Sequence, residues 1–278
     1  MPALVDLHMH TDHSDGTFSA AEVVAAARRA KLVAFAITDH DTIAGYREAL
    51  TYVGADDPEL ISGVEFSVAM DDSEMHLLAY LFDPDNERLA DRLEGFREER
   101  NLRGGLMVER LNRLGLDLSM EAVRRHAGKA AIGRPHIAEA LVDAGMVDSF
   151  EQAFRKYIGN HCPAYVPKNE IGPAEAIELV HWAGGVAIMA HPFVNDMHRH
   201  LPGLVDLELD GVEVEHYSHS KQQRREVIRL AKRHGLLMSG GSDFHGRQRH
   251  EGEIGCFPVP VSYLDALKER AVEIRGKL

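Results

Sequence analysis

The residues able to do chemistry in this 278-residue chain come in short bursts, each at the end of an apolar run. The first burst is Asp6-Leu7-His8-Met9-His10-Thr11-Asp12-His13-Ser14-Asp15-Gly16, directly after Ala3-Leu4-Val5. On a strand, the two imidazoles of His-x-His point to one face, because side chains alternate. Two neutral imidazoles aimed at one point are half of a metal site. The theme repeats: Asp39-His40-Asp41 follows the apolar run 32–38, Glu65 and His76 sit in strand-like runs 59–68 and 74–82, and His191 follows 186–190. Asp243 and His245 close Gly240-Gly241-Ser242-Asp243-Phe244-His245-Gly246. With 17 histidines in the chain, one His at a strand end is ordinary core. Recurrence at successive strand ends is not. The six imidazoles (His8, His10, His40, His76, His191, His245) and three carboxylates (Asp15, Glu65, Asp243) exceed the needs of one ion and suffice for two or three. Mixed His/carboxylate ligation without Cys suits Mn, Zn or Fe.

The elements that must position these groups follow from periodicity. Ser19-Ala20-Ala21-Glu22 is a capping box that opens an Ala-rich helix. A buried strand 32–38, a helix 43–53 and strands 59–68 and 74–82 follow, which predicts a β/α barrel with its site at one strand-end face. From 86 to 159 the pattern is helical only, over 86–114, 119–127, 134–145 and 149–159, with a predicted break at Gly104-Gly105. Pro173 restarts the alternation: helix 173–183, strand 186–190, a helix near 201–208, strand 211–215, helix 220–234, a strand from 236 and a closing helix 263–274. The expected organisation is an α/β barrel domain of residues 1–85 and 173–278 interrupted by an all-helical insertion, 86–172, that caps the site.

Composition narrows the function classes. Hydrophobic content of 45% and charged content of 27% are ordinary for a globular enzyme. No apolar run reaches membrane-spanning length, and no basic-then-apolar leader opens the chain, so no membrane partner is expected. Cys162 and Cys256 lie far apart without a CxxC partner, which fits the cytoplasm better than a disulfide framework or a structural zinc site. The net charge of −13 argues against duplex nucleic acid as a partner. Residues 92–136 nevertheless carry ten Lys/Arg against six Asp/Glu, a surplus of +4, while the remainder is −17. Two readings stand: a solvated helical face, or a basic cap over an anionic substrate. No protein partner is inferred.

The motifs DLHMHTDHSDG, ITDHD, the glutamate of GVEFS, AHP and GGSDFHG resemble, in order, those of the PHP (polymerase and histidinol phosphatase) family, over residues 1–82 and 173–257. The resemblance implies a distorted seven-stranded, TIM-like β/α barrel, two to three divalent ions (Mn²⁺ first, Zn²⁺ or Fe²⁺ as alternatives) and phosphoester hydrolysis. It implies that His8, His10, Glu65 and Asp243 hold one ion, that Glu65 bridges to a second with His76 and His191, and that Asp15, His40 and His245 hold a third. Glu65 and Asp243 thereby become the catalytic carboxylates, around a metal-bridging hydroxide attacking in line. Three divalent ions against three carboxylates and a hydroxide leave two positive charges, the match of a phosphate dianion. Asp12, Asp39 and Asp41 are expected to orient imidazoles.

Within the insertion, Gly133-Arg134-Pro135-His136-Ile137-Ala138 and Ala164-Tyr165-Val166-Pro167-Lys168 resemble a bacterial branch of the family that acts on nucleotides and RNA ends. Arg134, Lys168 and His136 are then substrate-binding groups, and His216 either protonates a leaving alkoxide or binds phosphate. The expected substrate is a small phosphorylated nucleotide or a short RNA end. The expected reaction is removal of the 3′-phosphate from a nucleoside 3′,5′-bisphosphate. The alternatives are 5′-to-3′ exoribonuclease and histidinol-phosphate phosphatase. In other classes stand a C–N amidohydrolase, whose usual bridging lysine has no counterpart here, and a non-catalytic PHP module.

Overall fold

The computed structural model describes residues 4–70, 73–167, 171–246 and 253–278. In chain order its elements are β1 (Leu4–Asp6), α1 (Ala20–Arg29), β2 (Ala34–Ala36), α2 (Ala44–Ala49), β3 (Glu59–Ile61), β4 (Gly63–Met70) and β5 (Ser73–Tyr80). Helices α3 (Glu87–Arg113), α4 (Met120–Ala127), α5 (Arg134–Asp143) and α6 (Phe150–Ala153) come next, the last running on as a π-helical turn, Phe154–Ile158. The chain then alternates through α7 (Pro173–Trp182), β6 (Val186–Met189), a 3₁₀ segment (Val194–His200), α8 (Leu201–Asp206), β7 (Gly211–Glu215), α9 (Lys221–His234), β8 (Leu237–Gly240), β9 (Val259–Pro260) and α10 (Val261–Arg275). This is a mixed α/β fold. The capping box at Ser19 and Glu22 and the proline at the start of α7 form as expected.

The strands make two mixed sheets, in the orders β3-β2-β1-β9 and β4-β5-β6-β7-β8. In the first, β1, β2 and β3 are parallel and β9 is antiparallel to β1. In the second, β4-β5 and β5-β6 are antiparallel, and β6-β7 and β7-β8 parallel. Residues 59–68, expected as one strand, divide at Ser62 between the two sheets. Ser62 there accepts the N–H of Leu81 (3.0 Å) and donates its hydroxyl to the Phe82 carbonyl (2.9 Å), so the chain turns from one sheet into the other. The sheets meet at two places. Beyond β1, Met9 pairs with Phe244, and beyond β2, His40 pairs with Glu65. The second joins two of the residues singled out for chemistry, and the first lies between His8 and His10 on one side and between Asp243 and His245 on the other.

Packing explains the arrangement. Val5, Ala34 and Ile61 of the first sheet face Leu78, Tyr80 and Ile188 of the second, and Leu264 and Leu267 of α10 close that space. Phe35 and Ile37 pack outward on Val23, Val24 and Ala27 of α1. The second sheet packs outward on α7, α9 and the first turns of α3, through Val180, Val227 and Phe96. At the end away from the chemistry, the buried Asp210 carboxylate faces His181 Nε2 (2.8 Å) and accepts the Ala187 N–H (2.8 Å) and the Arg270 Nε–H (2.7 Å), tying α7, β6 and α10 together. Residues from Met107 to Val166 bury a separate core that includes Leu111, Val123, Ile137, Leu141 and Ile158.

Helix α3 is unbroken over 27 residues, so the break expected at Gly104-Gly105 does not occur. Gly104 serves close approach instead: a Cβ there would lie 2.4 Å from Ile132 Cγ2, whereas one on Gly105 would meet nothing within 4 Å. The two glycines therefore predict opposite responses. Gly105→Ala should raise stability by about 1 kcal/mol through helix propensity. Gly104→Ala should lower it, since overpacking costs about 1–3 kcal/mol. Urea midpoints read both, and alanines that shift the midpoint in the same direction would refute the packing role of Gly104.

Candidate functional site

Glu65, in β4 and 1% exposed, is the hub. Its Oε2 lies 3.2 Å from His8 Nε2, 3.2 Å from His10 Nε2 and 3.3 Å from His40 Nδ1. Its Oε1 lies 2.9 Å from His76 Nδ1 and 3.1 Å from His191 Nε2. Asp243 Oδ1 joins the first set, 3.2 Å from His8 Nε2 and 3.1 Å from His10 Nε2, while Oδ2 faces His216 Nε2 at 3.1 Å. Asp15 gathers a third set: His245 Nε2 at 3.3 Å, His10 Nδ1 at 3.7 Å and His40 Nε2 at 3.9 Å. All nine residues collected from the strand ends thus converge, and His216 stands at their edge.

Local structure holds them there. His8 and His10 point the same way, as strand alternation requires. Gly241 lets the chain after β8 pass close to β1, since a Cβ there would lie 2.4 Å from the His8 backbone nitrogen. The Asp243 N–H can then reach the His8 carbonyl (2.8 Å), and the buried Asp6 carboxylate accepts the Ser242 N–H (2.9 Å). Asp41, His191 and Asp243 all adopt positive φ (54°, 23° and 50°), a conformation that costs a non-glycine residue about 1–3 kcal/mol. Strain of this kind is tolerated where surrounding contacts over-determine the backbone, as they do here.

Of the aspartates expected to orient imidazoles, Asp39 takes the Thr11 N–H and hydroxyl (2.7 Å each) and the Ser14 hydroxyl (2.6 Å), and comes near His10 only through Ser14. Asp41 accepts from Ser67 and from Arg100 Nε (2.9 and 2.8 Å), and Asp12 lies 3.7 Å from Lys129. Two carboxylates do meet an imidazole on the side away from Glu65: Glu74, with Oε1 3.1 Å from His76 Nε2, and Glu213, in the middle of β7, with Oε1 2.9 Å from His8 Nδ1. An acid inside the fully buried strand Gly-Val-Glu-Val-Glu was the only sequence signal of Glu213.

The donor set fits divalent ions. Burial alone would neutralise Glu65, yet His76 and His8 hold it well below the usual carboxylate range; Asp243 and Asp15 are likewise held ionised against burial by the rings they face. Burial keeps His40 neutral, at about 3, and pulls His191 down. Burial opposes a proton on His76 too, but the Glu65 and Glu74 carboxylates outweigh it and raise that ring to about 10. Hard anionic oxygens and imidazole nitrogens sharing one point are what a divalent ion binds. Two buried nitrogens, His10 Nε2 and His40 Nδ1, sit beside carboxylate oxygens without the alignment of a hydrogen bond. One ligand atom from each of His8, His10, Glu65 and Asp243 falls within 4.8 Å of the others, as do those of His10, Asp15, His40 and His245, and of His40, Glu65 and His76.

Over this floor lies a cavity of about 320 Å³ whose wall includes Arg100, Arg103 and Arg134. Arg100 reaches it from α3, anchored on Asp41 (2.6 Å). Arg103 donates to the Val166 carbonyl (2.8 Å), and Arg134 to Asn160 (2.8 Å). The basic surplus of 92–136 therefore divides: these three cations face the cavity, while Arg113 and Arg125 pair with Glu109 and Glu121 on the exposed surface. His136 is not in the cavity wall. It is 6% exposed and its Nδ1 accepts the Gly133 N–H (3.1 Å), closing the first turn of α5. Lys168 lies outside the described residues. Arg100 and Arg103, which no motif marked, take places in the wall.

The shared position of Glu65 predicts that Glu65→Gln weakens divalent-ion binding far more than tenfold, whereas Asp12→Asn, at the periphery, leaves it unchanged. Calorimetric titration with Mn²⁺ measures both, and equal losses would remove Glu65 from the centre.

The geometry can be set beside known proteins. Residues 6–152 match the PHP domain. The chain is 33% identical over 250 residues to the 5′-3′ exoribonuclease Rnm of Escherichia coli, covering 87% of this chain and 85% of that protein. It is 34% identical over 261 residues to the 3′,5′-nucleoside bisphosphate phosphatase of Chromobacterium violaceum, covering 91% of each. A crystal structure from Bifidobacterium adolescentis, provisionally described as a metal-dependent phosphoesterase, superposes with a TM-score of 0.86 at 33% identity, over 97% of this chain and 98% of that one. Matching of this extent, together with a histidine and carboxylate centre suited to divalent ions, makes the chain a member of the PHP family and a metal-dependent phosphoester hydrolase.

Proposed function

We propose that the protein removes the 3′-phosphate from nucleoside 3′,5′-bisphosphates. The observation that carries this is the cavity's polarity: a floor of histidines and carboxylates and, within the same 320 Å³, a wall holding Arg100, Arg103 and Arg134. A space near the lower end of small-ligand pockets suits one nucleotide, and ions held on the floor together with the arginines of the wall would ask for two phosphates. His8, His10, Glu65 and Asp243 would hold one ion, Glu65, His76 and His191 a second, and Asp15, His40 and His245 a third, with Mn²⁺ the expected metal. Bound there, the ions supply an acidified water and neutralise phosphoryl charge. Glu65 and Asp243 would be the carboxylates that hold them at the centre of the floor. Arg134 holds the remote 5′-phosphate, and His216, whose Nε2 and Nδ1 face Asp243 and Ser218 (3.1 and 2.8 Å), either protonates the leaving oxygen or binds phosphate. We read β1, β2, β4, β5, β6, β7 and β8, closed at Met9-Phe244 and His40-Glu65, as one distorted seven-stranded barrel within residues 1–85 and 173–278, with β3 and β9 outside the ring. We read 86–172, with its own core, as an inserted cap. No described helix is long and apolar enough to cross a membrane. The unjoined Cys162 and Cys256 suit a reducing compartment, and we assign the chain to the cytoplasm.

Remote binding of the 5′-phosphate favours the transition state only when that phosphate is present. A charge-assisted contact of about 1.5–3 kcal/mol corresponds to about 10- to 150-fold in kcat/KM. In Mn²⁺-loaded protein, Arg134→Ala is expected to lose that much on a nucleoside 3′,5′-bisphosphate and little on an aryl phosphate. Equal losses on both would move Arg134 to the reacting phosphate, and a wild-type preference for histidinol phosphate would reject the nucleotide reading.

A second reading, 5′-to-3′ exoribonuclease on short RNA, is favoured by one observation. A further space of about 500 Å³ adjoins the first across Glu74, His76, Arg134, His191 and Val194 and reaches Arg199. It has room for a second nucleotide. On this reading Arg199→Ala slows release of a nucleotide from a 5′-phosphorylated dinucleotide and leaves the bisphosphate rate unchanged. An Arg199→Ala protein that cleaves the dinucleotide at the wild-type rate would count against it.

A further inference from the structure

We infer that Glu213 is a positioning residue that fixes the ring tautomer of His8 and the backbone of His191, so that ion binding at two positions depends on a carboxylate touching neither ion. The inference rests on reading His8 and His191 as ligands. Glu213 is fully buried, and each of its oxygens has its own task. Oε1 faces His8 Nδ1 at 2.9 Å, and Oε2 accepts the His191 N–H at 2.8 Å. A neutral imidazole carries one N–H, and an ionised carboxylate can only accept. With an ion held between Nε2 and the Glu65 Oε2 and Asp243 Oδ1 oxygens, each 3.2 Å from that nitrogen, the Nε2 lone pair goes to the ion, and the one remaining His8 proton belongs on Nδ1, towards Glu213. The two ring nitrogens point in diverging directions, so Glu213 stands behind the ring.

The second task concerns the strained turn after β6. His191 sits at φ 23°, a backbone that residues with a Cβ avoid. Its N–H donates to Glu213, and its carbonyl accepts from Val194 (2.9 Å). Held this way, the ring brings Nε2 to within 3.1 Å of Glu65 Oε1. One carboxylate thus sets the direction of a lone pair at the first ion position and the place of a ring at the second.

The test is Glu213→Gln, read as ion binding without substrate. The amide keeps the shape of the carboxylate but offers an N–H to Nδ1, which drives the His8 proton round to Nε2. Mn²⁺ affinity is expected to fall by about 10- to 100-fold at unchanged stoichiometry. Unchanged affinity overturns the inference. Loss of one whole ion also overturns it, by making Glu213 a ligand. Should the variant fail to fold, ¹⁵N-imidazole NMR of Zn²⁺-loaded wild-type protein decides the point. The His8 ring, assigned by its loss in His8→Gln, is expected to carry its proton on Nδ1, and a proton on Nε2 refutes the proposal. Failure on every nucleotide tested would reject the proposed substrate and leave these readouts standing. A wild-type protein that binds no ion overturns the ligand reading and this inference together.

Discussion

A carboxylate removed from water must be met by positive or polar partners, and Glu65 is met by five imidazoles at once. Leaving such a group unpaired would cost several kcal/mol, so much of the chain's path can be understood as delivering those partners. His8 and His10 arrive from the end of β1, His40 from the end of β2, His76 from β5 and His191 from the end of β6. The two sheets contribute to one side of the charge and then the other, and they join at the hub itself, where His40 pairs with Glu65. The backbone at Asp41, His191 and Asp243 accepts unfavourable angles for the same end.

The helical segment serves the centre by a different physical route. From Met107 to Val166 its interior is a separate apolar core, while the first turns of α3 pack on the second sheet through Leu89, Leu93 and Phe96. What binds it to the chemistry is Arg100, which crosses from α3 to Asp41 and Ser67, directly beside His40 and opposite β4. That contact is mostly buried and charge-assisted, and it fixes the arginine wall relative to the carboxylate floor. Helices attached in this way hold Arg100, Arg103 and Arg134 at a set distance from the histidine and carboxylate floor.

Much of the centre was legible in the sequence because its residues are chemically conspicuous and sit at predictable places. His8 and His10 share a face by alternation alone, and carboxylates and imidazoles at successive strand ends must meet if those strands share a sheet. Less conspicuous partners were hidden. Glu213 reads as one acid in a buried strand, Arg100 and Arg103 as charges on a long amphipathic helix, and His136 as part of a motif although its ring caps a helix. Gly104-Gly105 reads as a helix break, yet only one of the two glycines has a neighbour.

The division follows from what local chemistry can and cannot specify. The sequence by itself determined the ligand-type residues, the alternation of strands and helices on either side of a helical stretch, and the excess of positive charge in that stretch, since these depend on residue type and spacing. Only the tertiary structure decided that residues 59–68 turn at Ser62 from one sheet into the other, and that Asp39 is met by Thr11 and Ser14 and Asp41 by Ser67 and Arg100. It also decided that His8 is backed by an acid 205 residues away. Those outcomes depend on which surfaces meet across long stretches of chain, and a burial partner is a property of the fold that no window of sequence contains.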